Sequence, residues 1–213
     1  MKLYSYWRST TSYRVRAALN LKGLTYETVP VDLVAGEQSA PDYLALNPGS
    51  GVPTLMLDDR TVLTQSMAIL DYIDATWPAP RLIPADPMER ARVLAMAHGV
   101  AIDIHPVSNL RVIKELGTQL GANAAQKKAW MQHWIAQGFA AIETQVSGGT
   151  SFAFGAAPTL ADLCIVSQMY NAQRWEVPLD SFPKLNKITA NCLANPAILA
   201  AHPDNQPDAK ETI

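Results

Sequence analysis

Trp7-Arg8-Ser9-Thr10-Thr11-Ser12-Tyr13-Arg14-Val15-Arg16 is the stretch that decides how the chain begins to fold. Before it lies a short strand-like run, Leu3-Tyr4-Ser5-Tyr6, with alternating large residues. After it, Val15, Ala18, Leu19 and Lys22 recur at helical spacing, and Gly23 stands where a helix favours a left-handed residue just past its end. The four hydroxyl residues Ser9 to Ser12 therefore fall at a helix N-terminus, where unpaired N–H groups and the macrodipole favour an anion. A thiolate held there by a hydroxyl would have its pKa lowered. The stretch contains no cysteine, so such a thiolate has to arrive on a ligand. The plainer reading, four hydroxyls capping one helix, stays open on these residues alone.

The 213 residues are enough for one large domain or two small ones, and 48% apolar with 17% charged residues is a globular profile. A net charge of −2 lacks the basic face that general nucleic-acid binding needs. The first residues show no basic-plus-apolar leader, and no apolar run approaches 18 residues, so neither export nor a bilayer is expected. Cys164 and Cys192 lie far apart in helical patterns, which argues against a disulfide framework and for a reducing cytoplasm.

Onward from the first helix, Tyr26 to Val31 reads as a strand whose internal Pro30 marks it as an edge. Residues 32–51 are polar and broken by glycine and proline, a mobile loop with one short helix. Val52-Pro53-Thr54-Leu55-Met56-Leu57 resumes strand character, and Asp58-Asp59 turns the chain into a hairpin partner at Thr61-Val62-Leu63. Gln65-Ser66 opens a helix with Met67, Leu70 and Ile73 on one face. This order is that of a thioredoxin-like α/β domain over residues 1–80. Pro78, Pro80, Pro84 and Pro87 mark a boundary, with a linker at 81–87 and an all-helical domain over 88–213. In that second part Pro106 is expected to kink or break a helix, leaving carbonyls unpaired along a cavity wall. Trp130, Trp134, Ile135, Phe139, Ile142 and Val146 form an apolar stripe, Thr159 to Asp162 a capping box, and the tail after Pro203 is expected to fray.

The string Tyr6 to Arg16 closely resembles the Ser-Ser-Cys motif region of zeta-class glutathione transferases, which include isomerases of maleylacetoacetate and maleylpyruvate. The α/β-then-α order extends the resemblance over nearly the whole chain and implies the glutathione transferase architecture. By position the family's two hydroxyls fall on Ser9 and Thr10. Its cysteine falls on Thr11, so any catalytic thiol belongs to glutathione rather than to the protein. The resemblance implies catalytic roles for Ser9, Thr10 and Thr11. It also implies glutathione contacts from Ser9, Gln38, Val52, Pro53, Gln65, Ser66, His105 and Asn109, with Pro53 in the cis form and Gln65-Ser66 at the γ-glutamyl end. Arg8, Arg111 and Arg174 would hold a dicarboxylate substrate, since guanidinium forks match carboxylates.

The expected function is thus a glutathione-dependent cis–trans isomerisation of a maleyl keto acid, maleylpyruvate ahead of maleylacetoacetate, by a homodimer. Two alternatives stay open: a glutathione transferase or dehalogenase acting on α-halo acids, and a non-catalytic dimerising module. Other chemistries lack their residues. Ser9-x-x-Ser12 has no paired thiols for disulfide exchange, the four histidines show no metal-ligand spacing, and neither a nucleophile elbow nor a phosphate-binding glycine loop is present.

Overall fold

The computed structural model describes residues 1–209. In chain order the elements are β1 (Lys2–Ser5), α1 (Thr10–Leu21), β2 (Glu27–Pro30), α2 (Pro41–Leu46), β3 (Thr54–Met56), β4 (Val62–Thr64) and α3 (Ser66–Thr76). Then come α4 (Pro87–His98), α5 (His105–Val107), α6 (Leu110–Leu120), α7 (Ala124–Gln145), α8 (Leu160–Arg174), α9 (Pro183–Leu193) and α10 (Pro196–Ala200). By their contacts they fall into two units, Ile83–Cys192 forming one and the residues on either side of it the other. The sequence pattern had put the segment from Leu193 on with the helices. By contact it groups with the sheet.

In the first unit the four strands lie in the order β2-β1-β3-β4. β1 pairs parallel with β2 and antiparallel with β3, and β3 pairs antiparallel with β4. Pro30 ends the edge strand β2, where a missing N–H costs no ladder bond. Leu3 and Leu55 face each other across the centre of the sheet, both fully buried. α1 buries Tyr13, Val15, Ala17, Ala18 and Leu19 and ends at Lys22, after which Gly23 takes φ +64° as the pattern required. Lys22 Nζ then bonds Asp74 of α3 at 2.8 Å, with both side chains out of solvent, and Asp74 also accepts the Leu82 N–H at 2.8 Å.

The segment after α9 does not fray over its described residues. Asn20 Nδ2 donates to Ala197 O at 3.0 Å, Arg16 Nε donates to Ala201 O at 3.1 Å, and Tyr13 packs edge-on against His202 at 5.7 Å. After Pro203, where fraying was expected, a 3-10 turn spans Pro203–Asn205, Gln206 Nε2 donates to Ala200 O and His202 O at 2.9 Å, and Asp208 Oδ2 accepts the Trp7 N–H at 3.0 Å. Residues 210–213 lie outside the described part.

The second unit is helical throughout. α8 is buried along Leu160 to Ala172. Its start is fixed by Asp162, which accepts from the N–H and the hydroxyl of Thr159 at 2.8 and 2.7 Å and from Ala153 N–H at 2.7 Å. α7 buries Met131, Ile135, Phe139 and Ile142, whereas Trp130 and Trp134 flank that stripe half-exposed. The polar interruption differs from the expected kink. A π-helical turn spans Gly99–Ile104 directly ahead of Pro106, with helical backbone at both of its ends, and the break falls at Ser108 and Asn109. Two carbonyls at the break are met by side chains. Ser108 Oγ donates to Ile104 O at 2.8 Å, and Trp130 Nε1 donates to Val107 O at 2.8 Å.

Two expectations follow. Asp162→Ala strands three donors in a buried place and should lower unfolding free energy by about 3 kcal/mol, read as a fall in the urea midpoint, with Asp162→Asn losing less. His202 titrates below its ordinary 6.5 because burial disfavours imidazolium, a shift that Asp204 opposes and Arg16 reinforces. Its neutral form accepts the Asp204 N–H at Nδ1. A depressed folded-state pKa gives stability that is complete above the unfolded value and lost as pH falls through the folded one. The stability advantage of the protein over His202→Asn should therefore shrink between about pH 7.5 and about pH 5.5.

Candidate functional site

The topology brings the separate motifs of the first unit to one end of its sheet. β1, β2 and β4 run parallel to one another and β3 runs against them. Hence the ends of β1 and β4, which lead into α1 and α3, lie at the same edge as the start of β3 and the end of β2. Ser9, Ser66, Val52-Pro53 and the loop carrying Gln38 are the residues at those four positions. Two helix N-termini thus stand at one sheet edge, each with a hydroxyl residue at its head.

Ser9 is the N-cap of α1. Its hydroxyl accepts the Ser12 N–H at 3.2 Å, its carbonyl accepts the Tyr13 N–H at 2.9 Å, and the residue is largely buried. Ser9 Oγ lies 2.8 Å from Thr11 Oγ1, and the Thr11 hydroxyl donates to Val52 O at 2.8 Å. Since each hydroxyl has one proton, that of Ser9 must point at Thr11. A directed chain therefore runs from the head of α1 to the peptide group preceding Pro53, and the Val52-Pro53 bond is cis. Thr10 is buried beside this chain.

At the second helix head, Gln65 is the N-cap of α3 and takes φ +67°, ψ 112°, an unusual backbone for a residue with a side chain. It is exposed, while Ser66 after it is buried. Arg14 Nη1 lies 3.6 Å from Met67 Sδ, which seats the beginning of α3 on α1. Gln38 occupies a 3-10 turn at Glu37–Ser39. Its Nε2 donates to Leu33 O at 3.5 Å, and its Oε1 is buried without a partner among the described residues. The loop around it is ordered by side chains. Tyr43 Oη donates to Gly51 O at 2.6 Å, Asn47 Nδ2 to the same carbonyl at 2.8 Å, and Ser50 Oγ to Gln38 O at 3.0 Å. Arg8 lies with its guanidinium over the Trp7 ring, 5.1 Å from the centroid, a placement that holds the cation on the ring face.

The remaining candidates belong to the second unit. Asn109 caps α6 by accepting the Arg111 N–H on Oδ1 at 3.1 Å, which leaves Nδ2 to approach His105 Nε2 at 3.3 Å. In that contact the amide N–H is the donor and the ring nitrogen the acceptor. Arg111 and Arg174 are exposed, Arg174 Nη1 standing 3.4 Å from Asn171 Oδ1 at the end of α8. Among the described residues no group of three or more His, Cys, Asp or Glu side chains is arranged to hold a metal ion. No described helix is long and apolar enough to cross a membrane.

Sequence reasoning passed over Arg16. It is buried in α1 and donates to Ser5 Oγ at 2.9 Å, Tyr6 O at 3.4 Å and Trp7 O at 3.0 Å, besides Ala201 O. A charged residue on the buried face of a short helix was the available signal.

Comparison with known proteins agrees with this geometry. Residues 1–75 match the glutathione S-transferase N-terminal domain and residues 112–201 the glutathione S-transferase C-terminal domain. A maleylacetoacetate isomerase of Pseudomonas aeruginosa is 46% identical over 210 residues, covering 98% of each chain. The holo structure of a maleyl pyruvate isomerase, described as a bacterial zeta-class glutathione S-transferase, superposes with a TM-score of 0.96 at 41% identity, covering 99% of this chain and 100% of that one. A maleylacetoacetate isomerase from Methylobacterium extorquens AM1, with malonate and glutathione bound, superposes with a TM-score of 0.95 at 38% identity over 99% and 100% of the two chains. With relatives this similar over essentially its full described length, the chain belongs to the glutathione S-transferase family, in its zeta class.

Proposed function

We propose that the protein is a glutathione-dependent cis–trans isomerase of maleyl keto acids. The observation that carries this reading is the hydroxyl chain from Ser9 through Thr11 to the Val52 carbonyl, at a sheet edge that also bears the head of α3. The residues fit glutathione. The peptide has a thiol and two terminal carboxylates, and the sheet edge offers two helix heads with hydroxyls, a backbone peptide group at Val52 and the amide donor of Gln38 Nε2. When bound, glutathione supplies a thiolate that adds reversibly to the cis double bond, makes it a rotatable single bond and leaves again unchanged.

The chain's own groups do the rest. Ser9 and the head of α1 stabilise negative charge on the sulfur, with Thr10 and Thr11 flanking. Ser66, with Gln65, receives the γ-glutamyl carboxylate at the head of α3. Val52, ahead of Pro53, presents its peptide group to the ligand backbone, and Gln38 donates to the glycine carboxylate. In the helical unit His105 and Asn109 are assigned to glutathione. Arg8, Arg111 and Arg174 are assigned to the substrate's carboxylates, where bidentate bonds would orient the double bond and stabilise developing charge. The protein acts as a homodimer in the cytoplasm, without nucleic-acid or membrane partners. The all-helical domain begins near residue 88, after a proline-rich linker at 81–87.

The test follows the ultraviolet absorbance of maleylpyruvate, and separately of maleylacetoacetate, with and without glutathione. Conversion to the fumaryl isomer only with glutathione, and with no thiol consumed, is expected; the ratio of kcat/KM for the two assigns the substrate. Loss of free thiol with a stable conjugate would instead support transfer to a substrate such as an α-halo acid. Ser9→Ala should lower kcat by about 10- to 100-fold, the worth of a hydrogen bond to a charged group, and weaken glutathione binding much less. The reverse pattern would reduce Ser9 to a binding residue.

A further inference from the structure

The turn that delivers Ser9 is held from a distant part of the chain. Ser9 N–H donates to Tyr6 O at 3.0 Å, closing a four-residue turn over Tyr6-Trp7-Arg8-Ser9. Within it the Tyr6–Trp7 peptide group is bound at both poles. Its carbonyl accepts from Arg16 Nη1 at 3.4 Å, and its N–H donates to Asp208 Oδ2 at 3.0 Å across 201 residues of sequence. The next carbonyl, that of Trp7, takes Arg16 Nη2 at 3.0 Å. A peptide plane fastened on both sides cannot rotate, so the direction in which Arg8 and Ser9 leave it is set.

Asp208 is not simply one member of an acidic cluster. It lines a cavity of about 280 Å³ with Tyr6, Trp7, Pro30, Asp32 and Glu37, and all three carboxylates there are committed to backbone N–H groups. Asp32 accepts from Val34 and Ala35, Glu37 from Asp32, and Asp208 from Trp7. Asp208 fastens the turn that carries Arg8 and Ser9. The segment bearing it is itself anchored on α1 through Ala197, Ala201 and His202.

We propose that Asp208 is a positioning residue for the Ser9 site, so that the C-terminal segment is part of the machinery that activates the thiol. The proposal rests on the glutathione reading above. Asp208 is assigned no contact with the ligand or the reacting atoms. It acts by holding the Trp7 N–H, and through that peptide the placement of the Ser9 hydroxyl and of the Arg8 stack on Trp7.

The experiment compares the full-length protein with Asp208→Ala and Asp208→Asn. Three readouts are taken: the ultraviolet signal of bound glutathione thiolate against pH, kcat and KM for glutathione, and the melting temperature. Asp208→Ala is expected to raise the bound thiol's pKa by about one unit and lower kcat about tenfold, with KM for glutathione changed less than about threefold. Asp208→Asn keeps an oxygen acceptor for the N–H and should restore most of both. If Asp208→Ala lowers only the melting temperature while the thiol pKa and kcat stay put, the residue is structural and the proposal falls. If the same holds for Asp208→Asn and for Asp208→Ala when compared at a temperature where both are folded, the conclusion is the same. If the unsubstituted protein shows no bound-thiolate signal at all, the glutathione reading fails and takes this proposal with it.

Discussion

A single buried guanidinium organises the sheet-bearing unit. Arg16 bonds a side chain of β1, the carbonyls of Tyr6 and Trp7, and the carbonyl of Ala201 near the far end of the chain. Moving a cation out of water is costly, and here the cost is met by spreading the donors of one planar fork over several oxygens. Because those oxygens belong to three different segments, satisfying the cation fixes the segments relative to one another. Removing it would leave buried carbonyls and a hydroxyl without donors, a loss of several kcal/mol on general grounds. The strand end, the turn into α1 and the segment after α9 thus stand or fall together.

With that end of the sheet defined, the site follows from topology. Parallel β1, β2 and β4 all release their chains at one edge, and the antiparallel β3 starts there. Two helices therefore begin side by side, and their partial positive charges add at that edge rather than at opposite ends of the unit. Lys22 and Asp74, paired out of solvent at the other ends of α1 and α3, keep the two helices together. An anionic peptide is the ligand such an edge suits, and on the proposed reading the hydroxyl residues at both helix heads would supply the directional part of that recognition.

Features governed by neighbours in sequence were legible beforehand. The Ser9 cap, the left-handed Gly23, the edge position announced by Pro30 and the Asp162 box all depend on residues within a few positions of each other. The family resemblance added the cis bond at Pro53, which a residue type permits but does not require. What could not be read were the consequences of distant packing. The tail after Pro203 looked frayed because the bond that fastens it to the first strand's turn, Trp7 N–H to Asp208, spans 201 residues. Pro106 looked like the helix breaker, yet a π-helical turn ahead of it took up the strain and Asn109, a better cap, started the next helix. Trp130 looked like core because its spacing matched the stripe. Its indole N–H instead reaches Val107 O, and that need holds it at the flank.

Thr11 shows how one side chain shifts the balance of the site. At the position where the resembling family carries a cysteine, a threonine hydroxyl is a stronger donor than a thiol, and it spends its proton on Val52 O. That leaves its oxygen free to accept from Ser9. In this arrangement Ser9 keeps its proton directed along the chain, and a sulfur arriving at the head of α1 competes with Thr11 for it. A thiolate is the stronger acceptor, since charge roughly doubles the strength of such a bond, whereas a neutral thiol is not. On the proposed reading the network would favour the ionised form of the ligand twice, once through the helix head and once because only a charged sulfur would draw the Ser9 proton away from Thr11. Thr11 would then raise the selectivity of Ser9 for thiolate over thiol without itself touching the sulfur.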